Sequence, residues 1–233
     1  MNAYFDQPTI ILGGFLIDSS AYKEMKDYIK SRTNKEVVIV SLNKLEWLST
    51  NWSFGWKNIL DKVEKMVKEM SQESLTEKVT LIGHSSGGMI LRLYLSDLLF
   101  SNKIYNGKKY TNCLITLGSP NQAKRATYLR NFVSSKLPGS FYSENVNYIS
   151  VAGELDLKGP IATKTSIRLS KSSYRALNGN GAVIGDGLVP RDSALLIGSK
   201  QIVMKETAHG KAFGKDWYGS KNKVEEWVNK SLE

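Results

Sequence analysis

Apolar residues along the chain alternate between two patterns. Six short runs are almost continuously apolar: Thr9-Leu12, Val37-Val40, Val79-Ile82, Cys113-Thr116, Tyr148-Val151 and Gln201-Met204. Between two of them, apolar residues recur at helical spacing, at Trp56, Ile59, Leu60, Val63, Met66, Val67 and Met70. Continuous apolar strands are typical of a parallel sheet buried on both faces. The pattern therefore predicts an α/β fold in which helices flank a mostly parallel central sheet.

Three further segments predict helices of different burial. Weaker helical stripes occur at Tyr22, Met25 and Ile29 and, near the C-terminus, at Val224, Trp227 and Val228. The segment Met89-Phe100 is apolar on almost every side. An amphipathic stripe covers one face of a sheet, whereas a helix that is apolar all round is buried. We expect Met89-Phe100 to lie deep against the sheet.

A serine motif stands where the third apolar run meets this buried segment. The residues Gly83-His84-Ser85-Ser86-Gly87-Gly88 give the spacing G-x-S-x-G at a strand-to-helix turn, which is the pattern of a nucleophile elbow. Small residues are needed two positions either side of the serine, and only Ser85 has glycines at both. The motif predicts Ser85 as the nucleophile.

A serine hydroxyl needs a base within hydrogen-bond reach to act at neutral pH, and that base is most often histidine. The chain has two histidines. His84 adjoins the serine on the elbow, where its side chain is directed away from the hydroxyl. His209 follows the strand-like run Gln201-Met204 and is therefore predicted as the base.

The third member of such a site is a carboxylate that orients the histidine and lies between Ser85 and His209 in sequence. Three acidic residues are candidates. Asp186 sits between two glycines in a turn that precedes an apolar segment, whereas Glu154 and Asp156 follow the run Tyr148-Val151. A tight turn holds a carboxylate rigidly, so Asp186 is preferred, with Asp156 kept as the alternative acid.

Together these segments resemble the α/β-hydrolases of the lipase and esterase type. The segments that carry the likeness, in chain order, are Leu12-Phe15, Gly83-Gly88, Thr116-Pro120, Gly185-Pro190 and His209-Gly210. The resemblance implies one α/β-hydrolase domain over residues 1–233 and an oxyanion hole formed by the backbone N–H groups of Phe15 and Ser86. It implies neither a cofactor nor a metal.

The function that follows is hydrolysis of a carboxylic ester through an acyl-enzyme, with a small-molecule or lipid ester as substrate. Two alternatives remain. An acyltransferase would use the same three residues to pass the acyl group to another acceptor, and an α/β-hydrolase scaffold can serve binding without catalysis.

The segment Leu155-Ile184 interrupts the pattern. It shows no sustained period and is rich in Ser, Lys, Thr and Asn. A long irregular stretch inside a compact domain is usually functional or mobile. Residues 155–184 are interpreted as an insertion over the active site that acts as a small lid, with a surface excursion of no catalytic role as the alternative.

Aromatic and aliphatic residues near the ends of the predicted strands are candidates for a substrate pocket. They are Leu16, Trp47, Trp52 and Leu188, with Phe54 and Trp56 close by. Core packing is the alternative for all of them and the preferred interpretation for Trp56.

The formal charge of +10 would favour transient contact with an anionic membrane surface. Lysines scattered over helix faces are also typical of a solvated surface.

Length and composition agree with one compact enzyme. A chain of 233 residues, 41% of them hydrophobic, can bury one sizeable core. Its single cysteine, Cys113, lies in an apolar run and is predicted to be buried in the core. We expect a cytoplasmic protein, because neither a leader pattern nor a transmembrane segment is found. No motif indicates nucleic-acid binding, and the oligomeric state is not predicted.

Overall fold

A sheet of six parallel strands organises the chain. The computed structural model describes residues 4–233. The strands are β1 (Thr9–Leu12), β2 (Val37–Ile39), β3 (Val79–His84), β4 (Thr111–Leu117), β5 (Asn147–Glu154) and β6 (Lys200–Lys205). Their order across the sheet is β2-β1-β3-β4-β5-β6, and every neighbouring pair is parallel. The predicted α/β fold is confirmed.

Eight α-helices connect and cover the strands in residues 4–233. They are α1 (Lys23–Thr33), α2 (Lys44–Ser49), α3 (Ser53–Gln72), α4 (Ser86–Leu95), α5 (Tyr128–Lys136), α6 (Lys164–Asn178), α7 (Arg191–Ala194) and α8 (Lys221–Leu232). Alternate residues of a strand face opposite sides of the sheet. Accordingly Leu81 packs in the cluster with α3 and α4, while Ile82 packs in the cluster with α1 and α8.

The predicted helical stripes face the sheet. Helix α3 buries six of the seven apolar positions named from its sequence, and every residue of α4 is buried. The segment Met89-Phe100 was expected to form the buried helix. Helix α4 ends at Leu95, although the sequence stays largely apolar as far as Phe100. Cys113 is buried in β4, as expected, and burial raises the pKa of its thiol.

A buried arginine ties α4 to the chain that follows β4. The guanidinium of Arg92 donates to the carbonyl oxygens of Asn121 at 3.1 Å and Gly139 at 3.5 Å, and to that of Leu137. Burial lowers its pKa to about 10, so it stays charged at neutral pH. Backbone dipoles therefore replace water around this cation, and they fix the segment on both sides of α5.

Residues 155–184 contain a helix that was not predicted from the sequence. The expectation of irregular structure is wrong for α6, which starts at a capping box between Thr163 and Ser166 and ends at Gly179 with φ +80°. Its buried face consists of Ser166, Ser170 and Tyr174. The sequence of α6 is nevertheless amphipathic, since Ile167, Tyr174 and Leu177 recur at helical spacing between polar residues. The signal for this helix was therefore present in the chain, and the interpretation of 155–184 overlooked it.

Helix α6 supports the turn that carries Asp186. The hydroxyl of Tyr174 accepts a hydrogen bond from the Gly187 N–H at 2.7 Å, and Ser173 Oγ donates to the Leu188 carbonyl at 2.6 Å. These bonds join the helix to both residues that follow the acid. The interpretation of 155–184 as a lid stays a prediction.

Within residues 4–233, every helix is too short or too polar to cross a bilayer.

Candidate active site

Ser85 occupies a strained turn between β3 and α4. Its backbone has φ 53° and ψ −123°, a conformation that a residue with a Cβ adopts only when its surroundings impose it. The Ser85 N–H donates to the Leu117 carbonyl at 2.9 Å, which anchors the turn to β4. The next residue, Ser86, already begins α4. The side chain of Ser85 therefore stands at the carboxyl end of the sheet, beside the positive end of the helix dipole.

Close packing of backbone makes this turn possible. A Cβ on Gly83 would lie 2.5 Å from the Gly88 Cα, so the strand and the helix touch where their glycines face each other. A Cβ on Gly14 would lie 2.9 Å from the Ser85 Cβ and 3.0 Å from His84 Nδ1. The loop after β1 thus approaches the serine as closely as atoms allow.

The structure brings Ser85, His209 and Asp186 together. Ser85 Oγ donates to His209 Nε2 at 2.9 Å, and His209 Nδ1 donates to Asp186 Oδ2 at 2.8 Å. The three residues are 8%, 2% and 1% exposed. Burial in a medium of low polarity strengthens both hydrogen bonds. The arrangement can remove a proton from Ser85 when the hydroxyl attacks an electrophile.

Asp186 is held by its own turn and by a tyrosine. Its Oδ1 accepts from the N–H groups of Leu188 at 3.0 Å and Val189 at 2.7 Å, and its Oδ2 also accepts from the Tyr218 hydroxyl at 2.9 Å. The same hydroxyl accepts from the Gly153 N–H at 2.6 Å. Burial raises the pKa of Tyr218 well above its usual value, and the charge of Asp186 adds to this rise. Tyr218 therefore remains a donor to the carboxylate.

The other two acidic candidates lie elsewhere. Asp156 is exposed, and its Oδ1 accepts from the Lys158 N–H in a surface turn. Glu154 forms ion pairs with Arg191, at 2.8 Å, and with Lys205. Of the three carboxylates, the structure brings Asp186 alone to His209.

His84 takes part in a second hydrogen-bonded network. Its Nε2–H donates to the His209 carbonyl at 2.8 Å, and its Nδ1 accepts from the Tyr22 hydroxyl at 2.8 Å. Tyr22 in turn accepts from the Gly14 N–H at 2.7 Å. Burial lowers the pKa of His84 far below its usual value, and the nearby His209 lowers it further. A neutral His84 thus joins the loop after β1 to the backbone of His209.

Phe15 and Ser86, the expected oxyanion residues, border one cavity of about 180 Å³, which Ser85 itself does not line. The residues that line it are Phe15, Thr50, Asn51, Trp56, Ser86, Ile90, Thr127 and Arg130. Phe15 lies in the loop after β1 and precedes Leu16, whose φ of 59° makes it, like Ser85, a strained position. Because the N–H groups at the start of a helix lack intrahelical acceptors, the Ser86 N–H is suited to bind a negative oxygen.

The residues predicted to form a substrate pocket are dispersed. Trp47 is buried in the core with its ring 6.1 Å from that of Phe15, while Trp52 is exposed, stacks on Phe54 and lines an adjoining cavity of about 280 Å³. Leu16 is exposed and Leu188 is half-buried, and neither lines the cavity beside Ser86. A substrate role for these four residues stays a prediction.

Sequence reasoning missed several residues that shape this site. They are Tyr22, Thr50, Asn51, Thr127, Arg130 and Tyr218. Each is one of many residues of its type and belongs to no motif, so the chain offered no local signal for them. Residues 4–233 contain no group of three His, Cys, Asp or Glu side chains placed to hold a metal ion.

The family model described as palmitoyl protein thioesterase matches residues 8–154, which is more than half of the chain. The chain belongs to the palmitoyl protein thioesterase family. The match spans β1 to β5 and includes the Ser85 turn, and it ends before Asp186 and His209. It also confirms the resemblance to α/β-hydrolases, and it makes this family member a hydrolase of the ester-cleaving kind.

Solved structures share the fold at low sequence identity. The product of the gene lin2722 from Listeria innocua has a TM-score of 0.56 and 15% identity, over 95% of this chain and 92% of that one. Est1E from Butyrivibrio proteoclasticus, with ferulic acid bound, has a TM-score of 0.51 and 14% identity, over 96% and 88%. No curated protein is significantly similar to the chain in sequence. These likenesses therefore concern the fold.

The contact between Gly83 and Gly88 predicts that a single methyl group added at Gly83 destabilises the fold. We expect Gly83→Ala to lower the free energy of unfolding by about 1–3 kcal/mol, because the new Cβ overlaps backbone that cannot move aside. Urea unfolding measures the loss. Gly210→Ala is the matched control, since its Cβ would meet only Ile17 Cδ1 at 3.8 Å and the Trp217 ring at 4.0 Å. A Gly83→Ala protein as stable as the wild type would contradict the close packing.

The burial of neutral His84 predicts a pH dependence of stability. The unfolded chain protonates this histidine below a pH of about 6.5, whereas the folded protein does not. The free energy of unfolding should therefore fall as the pH drops below about 6.5, by up to ~1.4 kcal/mol per pH unit, and this contribution is fully present above that pH.

Urea unfolding of the wild type and of His84→Gln, from about pH 5 to about pH 8, tests this prediction. The difference between the two proteins should be constant at high pH and should change below about pH 6.5. Parallel curves over the whole range would mean that His84 binds its proton equally in both states.

Proposed function

We propose that the protein is a serine hydrolase that cleaves carboxylic esters, thioesters included, through Ser85, His209 and Asp186. One observation carries the proposal, namely the buried hydrogen-bonded chain from Ser85 Oγ through the His209 ring to Asp186 Oδ2, with distances of 2.9 and 2.8 Å. This is the geometry that a serine needs to become a nucleophile at neutral pH.

In the first half of the reaction, Ser85 Oγ attacks the carbonyl carbon and His209 Nε2 takes the hydroxyl proton. The bond to the leaving group then breaks, and His209 returns the proton to the departing alcohol or thiol. In the second half, His209 activates a water molecule that attacks the acyl-enzyme, and Ser85 regains its proton as the acid is released. Asp186 orients the ring and stabilises its positive charge throughout.

The negative oxygen of the tetrahedral intermediate is assigned to the backbone N–H groups of Phe15 and Ser86. Two such donors, fixed in place before the reaction, typically supply a large part of the rate enhancement. The dipole of α4, whose first residue is Ser86, adds to the stabilisation. Support comes from the cavity that both Phe15 and Ser86 line.

The family match favours thioesters as a substrate class beside oxygen esters. A thiol leaves from the same tetrahedral intermediate as an alcohol, so the three residues keep their roles. An acyltransferase would differ only in the acceptor of the second half-reaction. A scaffold used for binding would have no need for the hydrogen bond between Ser85 and His209.

Substitutions at the proposed catalytic residues test this function. Ser85→Ala should abolish hydrolysis of p-nitrophenyl butyrate and of butyryl-coenzyme A, since no other group replaces the nucleophile. Asp186→Asn should lower kcat by about 10⁴-fold by leaving His209 without its orienting carboxylate. Asp156→Asn is the matched control and should retain full activity, because that carboxylate is exposed and accepts from the Lys158 N–H, while His209 is paired with Asp186.

Product analysis with added alcohol separates a hydrolase from an acyltransferase. A free acid as the main product supports hydrolysis, and a new ester as the main product contradicts it. Loss of activity in Asp156→Asn rather than Asp186→Asn would reassign the acid. A folded wild type that neither turns over these esters nor reacts with a fluorophosphonate would overturn the proposal.

A further inference from the structure

A positively charged side chain without an acidic partner lies beside the proposed oxyanion site. Arg130, on α5, donates from its guanidinium to Ser86 Oγ at 3.0 Å. Within residues 4–233 this is its one hydrogen bond, and it forms no ion pair. Burial lowers the pKa of the guanidinium, yet arginine does not lose its proton in proteins. A partly buried cation therefore borders the site.

Arg130, which is half-buried, differs from the fully buried Arg92 in how many of its N–H donors the protein satisfies. The guanidinium of Arg92 donates to three backbone carbonyls, so its hydrogen-bonding capacity is largely satisfied by the protein. A guanidinium has five N–H donors, and Arg130 uses one of them on Ser86. Removing such a group from water without compensation is costly. The remaining donors of Arg130 are available to a ligand.

The cavity in front of Arg130 suits a negatively charged group. Of its lining residues, Thr50, Asn51 and Thr127 are polar and uncharged, and no Asp or Glu is among them. Trp56 and Ile90 provide an apolar part of the wall. A volume of about 180 Å³ corresponds to roughly six water molecules at liquid density. This is room for a carboxylate or phosphate together with a short carbon chain.

The same cavity reaches Phe15 and Ser86, the residues assigned to the oxyanion. A substrate whose carbonyl oxygen lies at those N–H groups can therefore place a nearby substituent against Arg130. Guanidinium groups bind carboxylates and phosphates in a bidentate manner, which provides both strength and geometric selectivity. The net charge of +10 would also draw anionic substrates toward the protein.

We propose that Arg130 binds an anionic group, a carboxylate or a phosphate, that the ester substrate carries close to its scissile bond. This inference rests on the proposed hydrolase function and adds the class of substrate to it. The preferred substrates are then esters with a negative charge a few bonds from the carbonyl, on the acyl side or on the alcohol side.

The test compares esters that differ in charge and little in length. Monoethyl adipate and ethyl hexanoate form the acyl-side pair, and 4-butyryloxybutanoate and butyl butyrate form the alcohol-side pair. Release of acid is followed by titration at constant pH. The ester 4-butyryloxybutyl phosphate separates a preference for phosphate from one for carboxylate.

We expect the wild type to show a higher kcat/KM for the anionic member of at least one pair. Arg130→Met, which keeps the apolar stem, should lower this preference by about 10- to 100-fold, the usual loss when a hydrogen-bonded charged group is removed. Arg130→Lys keeps the charge and loses the bidentate geometry, so it should restore part of the preference. Arg32→Met is the matched control for net charge, because Arg32 is exposed on α1, and it should leave the preference unchanged.

The results that would contradict this inference distinguish an error about Arg130 from an error about the hydrolase function. A wild type that hydrolyses the neutral esters and shows no preference for the anionic ones overturns the Arg130 inference and leaves the hydrolase function standing. Equal losses on both members of a pair in Arg130→Met also overturn it, because they would mean that Arg130 serves the reaction centre itself. Failure of the wild type on all five esters, without fluorophosphonate labelling, counts against the hydrolase function. The comparison within the wild type holds even if Arg130→Met does not fold.

Discussion

The contact between the end of β3 and the start of α4 determines the position of every other part of the site. Ser85 can turn between the two elements because Gly83 and Gly88 let their backbones touch. The strain at Ser85 is compensated by the burial of α4 along its whole length and by the hydrogen bond from Ser85 to β4. Since the serine cannot move without separating the helix from the sheet, the partners of the serine have to be brought to it.

The parallel sheet brings these partners to the serine because the carboxyl ends of all its strands lie at the same edge. The turn with Asp186 and the loop with His209 approach Ser85 from the side of β5 and β6, and backbone as well as side chains join them: the His209 N–H donates to the Asp186 carbonyl at 2.8 Å. From the other side, the loop after β1 reaches His209 through Tyr22 and His84. Hydrogen bonds on both flanks therefore restrict the imidazole ring to a narrow range of orientations, which is what proton transfer at Ser85 would require.

Sequence alone was sufficient for features that depend on local pattern. Continuous apolar runs predicted the strands, which the structure confirms. Glycine spacing predicted Ser85 as the nucleophile, and that role stays a proposal. With one other histidine in the chain, His209 followed by elimination, and its role stays a proposal. Helix α6 was missed although Ile167, Tyr174 and Leu177 recur in it at helical spacing. Tyr218 and Arg130 were missed because their positions depend on tertiary contacts between segments far apart in sequence. Such contacts leave no periodicity in the chain.

The buried Arg92 has a consequence for how this protein can change. Its bonds to the carbonyls on either side of α5 hold that helix in place without any contribution from the helix's outer side chains. Two residues of α5 and the loop before it face the cavity, namely Arg130 and Thr127, and neither belongs to the apolar core. Under the proposed function, substitutions at these two positions would alter which substrates bind and would leave Ser85, His209 and Asp186 in place. If both proposals hold, the residues that react and the residues that select the substrate lie on different segments and meet at Ser86, so that selectivity could be changed by evolution or engineering with Ser85, His209 and Asp186 left in place.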